Sequence, residues 1–341
     1  MILVTGGTGL VGAHLLLHLT TMEKSVRAIF RSEKARARTK RLFDLYRAGD
    51  RYGQIEWFKA SVTDIPALED AIRGCQQVYH CAALISFDPG EEDKLRKVNI
   101  QGTANMVNLS LALGVKRFCH ISSTAALGDL KPGEHVVTED TEWNPEMPHN
   151  DYSISKYGAE MEVWRAAQEG LEAVIINPGI VLGPGFWDSG SGKIFSGVAR
   201  GMKYFTRGIT GFVDARDVAR ISVRAMQSET LGQRYIAISE NLEYGQVLSK
   251  IARRMGKREP HIYASPFLTG LIWRADWLRN KLLGGKRRLS RHDARALHDQ
   301  STLSNLKSVN AFGFQYIPID QAIDNAVTLE LGSADNRVIG A

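Results

Sequence analysis

The amino-acid sequence predicts an α/β protein with a doubly wound parallel sheet and a smaller, mostly helical C-terminal lobe. Short apolar runs alternate with helix-like segments over the first half of the chain, as in parallel sheets that are covered on both faces. Glycines cluster between the first apolar run and the first helix-like run, in the stretch GGTGLVG at 6–12. After Pro178 the alternation ends, and glycine-rich and then basic, helix-like sequence predicts the second lobe.

The first turn of the fold is predicted between a short buried strand at 2–4 and a helix at 10–19. Glycine permits positive φ angles and close approach of the main chain, so a glycine-rich turn usually contacts a ligand. The stretch GTGLVG at 7–12 fits the dinucleotide fingerprint, in which a helix N-terminus holds a pyrophosphate. The residues predicted to bind the cofactor here are Gly6, Thr8, Gly9, Leu10, Val11 and Gly12.

Later strands are predicted from apolar runs at regular intervals along the chain. These runs lie at 26–30, 55–60, 78–83, 117–122, 173–178 and 234–239. Right-handed crossovers between the strands produce a Rossmann sheet. The predicted domains are a dinucleotide-binding domain at 1–178 and 212–240, a substrate-binding lobe at 179–211 and 241–330, and a flexible tail at 331–341.

Composition is that of an ordinary globular chain of 341 residues, 44% hydrophobic and 23% charged. The three cysteines form no CxxC pair, which suits reduced, buried thiols. A first strand that begins at residue 2 leaves no room for a secretory signal, and no apolar stretch approaches the roughly 18 residues of a spanning helix. We therefore expect a cytoplasmic protein.

Positive charge is concentrated in the C-terminal lobe. The formal net charge of the chain is +6, and twelve Lys and Arg against three acids give +9 within 251–295. No nucleic-acid-binding motif accompanies these cations, so we interpret them as a solvated helical surface and expect no nucleic-acid partner. Within this region, 265–285 places Trp273 and Trp277 beside cations, a pattern that fits peripheral membrane contact, a cleft-capping helix or a subunit contact.

A tyrosine and a lysine at helical spacing are the first candidates for chemistry. Tyr152 and Lys156, in DYSISK, lie four residues apart and therefore on one face of a helix. The ordinary pKa of a phenol is ~10, too high for ready proton exchange at neutral pH. A lysine ammonium ~5 Å away, at an effective dielectric constant of ~20, favours the phenolate by roughly 3 kcal/mol, equivalent to about two pKa units. We therefore predict that Tyr152 is a general acid or base.

A hydroxyl group at a strand end is the next candidate. The segment HISSTAALG at 120–128 ends a predicted strand in two serines. Ligands of open α/β sheets bind at the carboxyl ends of the strands. There, Ser123 would donate a hydrogen bond to the substrate oxygen that Tyr152 protonates. A serine pair in an ordinary strand-end turn is the alternative interpretation.

Together, these motifs resemble the extended branch of the short-chain dehydrogenase/reductase superfamily, also known as the NAD-dependent epimerase/dehydratase superfamily. The resemblance covers most of the chain, from VTGGTGLVG through ASVTD, HCAA, VNIQGT, ISSTAALG, YSISK and NPGIVLGPG to FVDARDVA. Within that branch the sequence is most similar to the dihydroflavonol reductase and 3β-hydroxysteroid dehydrogenase group. The resemblance implies a nicotinamide cofactor and favours a homodimer.

The resemblance also implies roles for catalytic Asn99 and for cofactor-binding Asp64, Ala82, Ala83, Lys156 and Pro178. Asp64 would hydrogen-bond the adenine, and the two alanines would line the floor of the cofactor site. Asn99 would hold the active-site helix or a proton-relay water. The lysine would bind the nicotinamide ribose as well as tuning the tyrosine, and the proline would shape the nicotinamide pocket.

The end of the second predicted strand indicates which cofactor is preferred. About twenty residues past the fingerprint, NAD enzymes place Asp or Glu, which binds the ribose 2′-hydroxyl. Here VRAIF is followed by Arg31, and further cations lie at Lys34, Arg36 and Arg38. An arginine can pair with a 2′-phosphate that a carboxylate would repel. NADP(H) is therefore favoured over NAD(H), with a basic helix start as the alternative interpretation of these cations.

The predicted activity is NADP(H)-dependent reduction of a ketone or aldehyde to an alcohol, or the reverse reaction. Apolar and aromatic stretches at 84–88, 183–187 and 202–205 suggest a lipophilic or aromatic carbonyl substrate. Three cations, Lys193, Arg207 and Arg216, could equally meet a diphosphate. The alternatives are a nucleotide-sugar epimerase that uses the same residues and retains its cofactor, and a non-enzymatic cofactor sensor or scaffold.

Overall fold

The computed structural model describes residues 1–22, 24–86, 88–283 and 291–338. Its strands are β1 Ile2–Thr5, β2 Val26–Phe30, β3 Ile55–Lys59, β4 Gln77–His80, β5 Arg117–Ile121, β6 Val136–Val137, β7 Glu172–Pro178, β8 Ile180–Leu182, β9 Tyr204–Phe205, β10 Ile209–Asp214, β11 Gln233–Ala237, β12 Glu240–Glu243, β13 Ile262–Tyr263 and β14 Thr302–Leu303. Its helices are α1 Leu10–Thr21, α2 Glu33–Leu45, α3 Gly49–Tyr52, α4 Ile65–Ile72, α5 Glu92–Leu95, α6 Gly102–Ala112, α7 Asp151–Gln168, α8 Lys193–Ala199, α9 Ala215–Gln227, α10 Tyr244–Arg254, α11 Pro266–Leu283, α12 Arg291–Ala296, α13 Leu306–Phe312 and α14 Ile319–Val338. A π-helical segment, Arg96–Gln101, joins α5 to α6.

Seven of these strands form one parallel sheet in the order β11-β7-β5-β4-β1-β2-β3. The chain runs from β1 outward through β2 to β3 and then returns to β4 on the other side of β1. This reversal opens a crevice at the carboxyl ends of β1 and β4, where open α/β sheets bind ligands. The predicted doubly wound fold is confirmed, and every strand that the apolar runs predicted lies in this sheet.

Both faces of the large sheet are buried, which explains why its strands are apolar runs without alternation. Ile2 and Val4 belong to a core that includes residues of α1 and α9. Leu3, between them, belongs to a second core that includes residues of α4, α6 and α7. Helices therefore pack against both faces of the sheet and fix the positions of its strand ends.

The smaller lobe is built after β7. There, β10 pairs in parallel with β8 and antiparallel with β12, so it lies in a separate three-stranded sheet. The stretch 212–240, expected to belong wholly to the dinucleotide-binding domain, is therefore divided between the two sheets. Its β10 residues lie in the three-stranded sheet, whereas β11 belongs to the large sheet and α9 packs against that sheet. The tail expected at 331–341 begins inside α14, and its last residues, 339–341, lie outside the described residues.

Candidate active site

In the loop after β1, the backbone conformation and packing at two positions are possible only for glycine. Gly6 has a φ angle of +64°, in the left-handed region that disfavours side chains. A Cβ atom on Gly6 would lie 2.5 Å from the carbonyl carbon of Cys81. A Cβ atom on Gly12 would lie 2.3 Å from the carbonyl oxygen of Gly6. Both clashes are with main chain, so these glycines allow α1, the loop and the end of β4 to pack together.

The N-terminus of α1 is open toward a ligand. The helix begins at Leu10, and its N-cap residue, Gly9, has no side chain that could accept from the first-turn N–H groups. A Cβ atom on Gly9 would meet only the carbonyl oxygen of Gly6, at 3.5 Å. Thr8 and Val11 are partly exposed on either side of this space. Free N–H groups and a helix dipole favour an anion, so this cradle fits the pyrophosphate of a dinucleotide.

Asn99 ties the loop after β4 to helix α7. Its side chain is buried and accepts a hydrogen bond from the Leu84 N–H at 2.7 Å. The same side chain donates to the Leu84 carbonyl oxygen at 3.0 Å and to Ser155 Oγ at 2.8 Å. In this loop, at the crevice between β1 and β4, Ala82 is partly exposed and Ala83 is exposed. Of the two roles expected for Asn99, this geometry fits the holding of the active-site helix.

Ser123, Tyr152 and Lys156 converge at the carboxyl end of β5. Ser123 caps the short turn after β5, where its Oγ accepts from the Ala125 N–H at 3.1 Å. Tyr152, in the first turn of α7, forms a side-chain hydrogen bond with Ser123. Lys156, one turn later, is buried and donates from Nζ to the Ile121 carbonyl oxygen at 2.9 Å. The two hydroxyls and the ammonium therefore lie at the edge formed by the carboxyl ends of the strands, where open α/β sheets bind ligands.

The predicted lowering of the Tyr152 pKa is wrong for this geometry. Burial raises the pKa of Tyr152 above its ordinary value, and the hydrogen bond with Ser123 opposes only part of that effect. The physical reason is desolvation, which destabilises the charged phenolate more than polar neighbours stabilise it. The phenol is therefore protonated at neutral pH and is prepared to donate a proton.

A buried carboxylate near Lys156 was not predicted from the sequence. Burial lowers the pKa of Lys156 to about 8, and the charge of Glu160 opposes this shift. Glu160 is fully buried on α7 and pairs with Arg234 across 3.3 Å. Asn177 Nδ2 donates to Glu160 Oε1 at 2.6 Å and to the Ser123 carbonyl oxygen at 2.9 Å. This network connects the surroundings of the lysine ammonium with the main chain of Ser123.

Two histidines lie beneath this site in the large sheet. His80 Nδ1 lies 2.7 Å from Thr5 Oγ1, and its Nε2 lies 3.0 Å from Thr103 Oγ1. Its ring stacks on His120 with centroids 5.3 Å apart. Burial lowers the pKa of His80 to about 3 and lowers that of His120 as well, and the Lys156 charge adds to both effects. Both rings are therefore neutral sheet residues that add no second positive charge beside the ammonium.

The other residues that the sequence predicts to bind the cofactor lie along the same edge. Arg31 follows β2 and is exposed, whereas its neighbours are engaged: Arg36 pairs with Glu33 at 2.8 Å, and Arg38 pairs with Asp188 at 3.4 Å. Asp64 is exposed at the N-terminus of α4, and its Oδ1 accepts from the Ala67 N–H at 3.3 Å. Pro178 is the buried last residue of β7.

The expected substrate-facing stretches are only partly available for contact with a substrate. Phe186 is a core residue that packs with Ala13 and Leu42, so it does not line a pocket. Arg216 makes a bidentate ion pair with Asp214, at 3.0 and 2.6 Å, and is therefore committed within the protein rather than free for a diphosphate. Among the described residues of the other stretches, the exposed apolar side chains are Ile85, Met202 and Tyr204, and Phe87 lies outside the described residues.

Comparison with known proteins places this site in a family. Residues 2–238 match the model of the NAD dependent epimerase/dehydratase family. The chain belongs to this family. Its relatives include the sterol demethylase protein B of Methylococcus capsulatus, 32% identical over 270 residues that cover 78% of each chain. Cinnamoyl-CoA reductase 1 of Oryza sativa is 28% identical over 273 residues, 76% of this chain and 77% of the rice protein.

The solved structures agree with this assignment at the level of the fold. Yeast methylglyoxal/isovaleraldehyde reductase Gre2, complexed with NADPH, superposes with a TM-score of 0.73 over 98% of this chain and 99% of that chain, at 20% identity. Dihydroflavonol 4-reductases are also among the family's sequence matches to this chain. The resemblance to the extended short-chain dehydrogenase/reductase branch is therefore confirmed, and the chain is an NAD(P)-dependent enzyme of this type.

Proposed function

We propose that this family member reduces a ketone or aldehyde to an alcohol, or catalyses the reverse, with NADP(H) and with Tyr152 as the general acid/base. The observation that carries the proposal is the side-chain hydrogen bond between Tyr152 and Ser123, beside the buried ammonium of Lys156. An acid, a hydrogen-bond donor and a fixed cation around one point are what protonation of a carbonyl oxygen requires.

Each of these residues has a distinct task in the reaction. When bound, the nicotinamide supplies or accepts the hydride. In the reductive direction Tyr152 donates its proton to the substrate oxygen, and Ser123 donates a hydrogen bond that polarises the carbonyl group. The raised pKa of Tyr152 suits this direction, because the phenol holds its proton at neutral pH. Lys156 stabilises the phenolate that remains after proton transfer and binds the nicotinamide ribose.

The cofactor would lie across the crevice between β1 and β4. The glycine loop and the first turn of α1 would hold the pyrophosphate, and Asp64 would bind the adenine. Ala82 and Ala83 would line the floor, while Pro178 would shape the nicotinamide pocket. Arg31 supports NADP(H), since it is exposed and, among the described residues, makes no ion pair that a 2′-phosphate would have to replace.

A lipophilic or aromatic carbonyl compound is the substrate class that we infer. Exposed Ile85, Met202 and Tyr204 supply an apolar surface from the stretches expected to face the substrate. The names of the relatives, a sterol demethylase protein and a cinnamoyl-CoA reductase, indicate bulky apolar or aromatic substrates and agree with this class. The pairing of Arg216 with Asp214 removes one of the cations that a sugar diphosphate would need.

A substrate screen tests this proposal directly. The purified protein is incubated with NADPH and a panel of sterol, aromatic and aliphatic carbonyl compounds, and the loss of NADPH absorbance is followed. We expect turnover with a lipophilic ketone or aldehyde and none with nucleotide sugars. Interconversion of a nucleotide sugar with no net change in the cofactor would identify an epimerase instead. Cofactor binding without turnover of any compound would favour the sensor or scaffold.

We also propose that the enzyme is a cytoplasmic homodimer. The three cysteines are free thiols, two of them fully buried, as expected in a reducing compartment. Helix α7 presents an exposed Met161, which offers an apolar contact to a second copy. Light scattering of the purified protein would give a mass twice that of the 37.8 kDa chain.

A further inference from the structure

Helix α11 turns its apolar side away from the protein. Phe267 and Leu282 are 77% and 71% exposed, and Leu271 and Leu278 are half exposed between them. At 3.6 residues per turn these four side chains fall within about 60° of one another, so they form one apolar stripe along the helix. The stripe consists of Phe267, Leu271, Leu278 and Leu282.

On the side of α11 opposite the stripe, two polar side chains are turned toward the protein. Thr269 is 4% exposed, and its Oγ1 lies 3.0 Å from His298 Nε2. The Asp276 side chain is 9% exposed and pairs with Arg279 at 2.8 Å. A helix that capped a substrate cleft would point its apolar side inward, toward the substrate. The observed orientation is the reverse, which argues against a cleft-capping helix.

Cations flank the apolar stripe. The Arg274 guanidinium lies 4.8 Å from the ring of Trp273, and the Lys281 ammonium lies 5.2 Å from the ring of Trp277. Tryptophan and basic side chains at the border of an apolar face are typical of helices that lie in a membrane interface. The segment 251–295 carries a net charge of +9, so the whole region is attracted to an anionic surface.

We propose that α11 docks the protein peripherally on an anionic membrane surface, with the stripe inserted among the lipids and the flanking cations on their headgroups. Charge decides between this partner and a second copy of the chain. A symmetric contact through the stripe would bring the same cations together and repel, whereas anionic lipid complements them. Among the described residues, no helix is long and apolar enough to cross a bilayer, so α11 lies along the surface.

Vesicle sedimentation tests this inference without any substrate, and hence independently of the proposed reaction. The full-length protein is mixed with vesicles of phosphatidylcholine alone or of three parts phosphatidylcholine to one part phosphatidylserine. We expect binding to the phosphatidylserine vesicles that weakens as the salt concentration rises. The variant Leu271→Glu/Leu278→Glu should lose about ten-fold or more in affinity, because it places two charges in the apolar stripe.

The matched control is Leu306→Glu/Leu331→Glu, which changes the net charge equally at two exposed leucines outside α11. This control should bind vesicles within about two-fold of the wild type, and both variants should keep the wild-type melting temperature, since all four leucines are exposed. Equal losses in both variants, or no binding of the wild type to phosphatidylserine vesicles, would overturn the proposal. If the stripe variant became monomeric but still bound vesicles like the wild type, a second copy of the chain would be the partner that covers the stripe, and the proposal would be wrong.

Discussion

Tyr152 and Ser123 are joined by a side-chain hydrogen bond although they are 29 positions apart in the sequence. Because the phenol holds its proton at neutral pH, Tyr152→Phe should reduce kcat by about a hundred- to ten-thousand-fold, the range that general acid catalysis typically contributes. The affinity for NADPH should change less than about two-fold, because the phenol acts on the substrate. Steady-state kinetics and a fluorescence titration of NADPH measure the two effects.

Tyr157→Phe is the control for this prediction. Tyr157 lies on the same helix, but its ring stacks on Trp143 at 4.3 Å, away from Ser123. We expect this variant to retain kcat within about two-fold, since it keeps the ring and removes only a distant hydroxyl. If Tyr152→Phe kept most of the wild-type kcat, proton transfer by Tyr152 would be excluded.

Glu160→Gln should alter the pH dependence of the reaction. Burial lowers the pKa of Lys156 to about 8, and the charge of the Glu160 carboxylate opposes this shift. Removing this charge lowers the lysine pKa further, so the ammonium is lost at a lower pH. The alkaline limb of the kcat/KM profile should therefore move to lower pH, while activity near pH 6 changes little.

Glu162→Gln, two residues further along α7, is the matched control. Glu162 pairs with Arg165 at 3.0 Å and is partly exposed, so its removal should leave the pH profile unchanged. A merely structural role for Glu160 would lower the melting temperature of Glu160→Gln and leave the alkaline limb where it is. That combination of results would contradict the effect of the Glu160 charge on the Lys156 pKa.

Arg31 tests the cofactor preference. A charge-assisted hydrogen bond between guanidinium and phosphate is worth roughly 1.5–3 kcal/mol, so Arg31→Ala should weaken NADPH binding by about ten- to a hundred-fold. NADH binding should change little, and Arg31→Asp should reverse the preference, because a carboxylate repels the 2′-phosphate. Titrations of both cofactors at one fixed salt concentration measure these affinities.

Arg73→Ala serves as the control, since Arg73 is exposed at the far end of α4 and pairs with Glu69 at 2.9 Å. Its removal should change neither cofactor affinity beyond about two-fold, in line with the small energies of exposed ion pairs. If Arg31→Ala weakened the binding of NADPH and NADH equally, the role of Arg31 would be a structural one at the start of the helix. Tighter binding of NADH than of NADPH by the wild type would refute the NADP(H) preference.

Gly12→Ala should disrupt the phosphate loop. The added Cβ would lie 2.3 Å from the carbonyl oxygen and 2.7 Å from the carbonyl carbon of Gly6, and these main-chain atoms cannot move aside as a flexible side chain can. Overpacking of this kind costs about 1–3 kcal/mol in the free energy of unfolding and moves the N-terminus of α1 away from the pyrophosphate. Thermal unfolding with and without NADPH should show a lower melting temperature and a smaller shift on adding the cofactor.

Gly53→Ala is the control for the glycine substitution. Gly53 has φ −66° and ψ −16°, which alanine adopts readily, and an added Cβ would lie 3.5 Å from the nearest atom, the Asp50 carbonyl oxygen. This variant should be as stable as the wild type or slightly more stable. If NADPH raised the melting temperature of Gly12→Ala as much as that of the wild type, the loop would tolerate a side chain at this position.

Much of the fold was predictable because local patterns carry it. The apolar runs at 26–30, 55–60 and 117–122 coincide with strands β2, β3 and β5 to within one residue. Two further local patterns, each only a few residues long, also determine their geometry. They are the glycine-rich turn between a strand and a helix and the tyrosine four residues before a lysine. Backbone sterics and helical periodicity act at this range, so the sequence was sufficient for these elements.

Only the tertiary structure decided how buried polar groups are paired. Glu160 follows Lys156 by four residues, a spacing that placed it on the same helix face, yet nothing local indicated its partners Asn177 and Arg234. The direction of the Tyr152 pKa shift was likewise mispredicted, because the Tyr–Lys spacing is visible in the sequence whereas the burial that raises this pKa is not. Desolvation and ion pairing depend on which segments meet in space, and that information is spread over the whole chain.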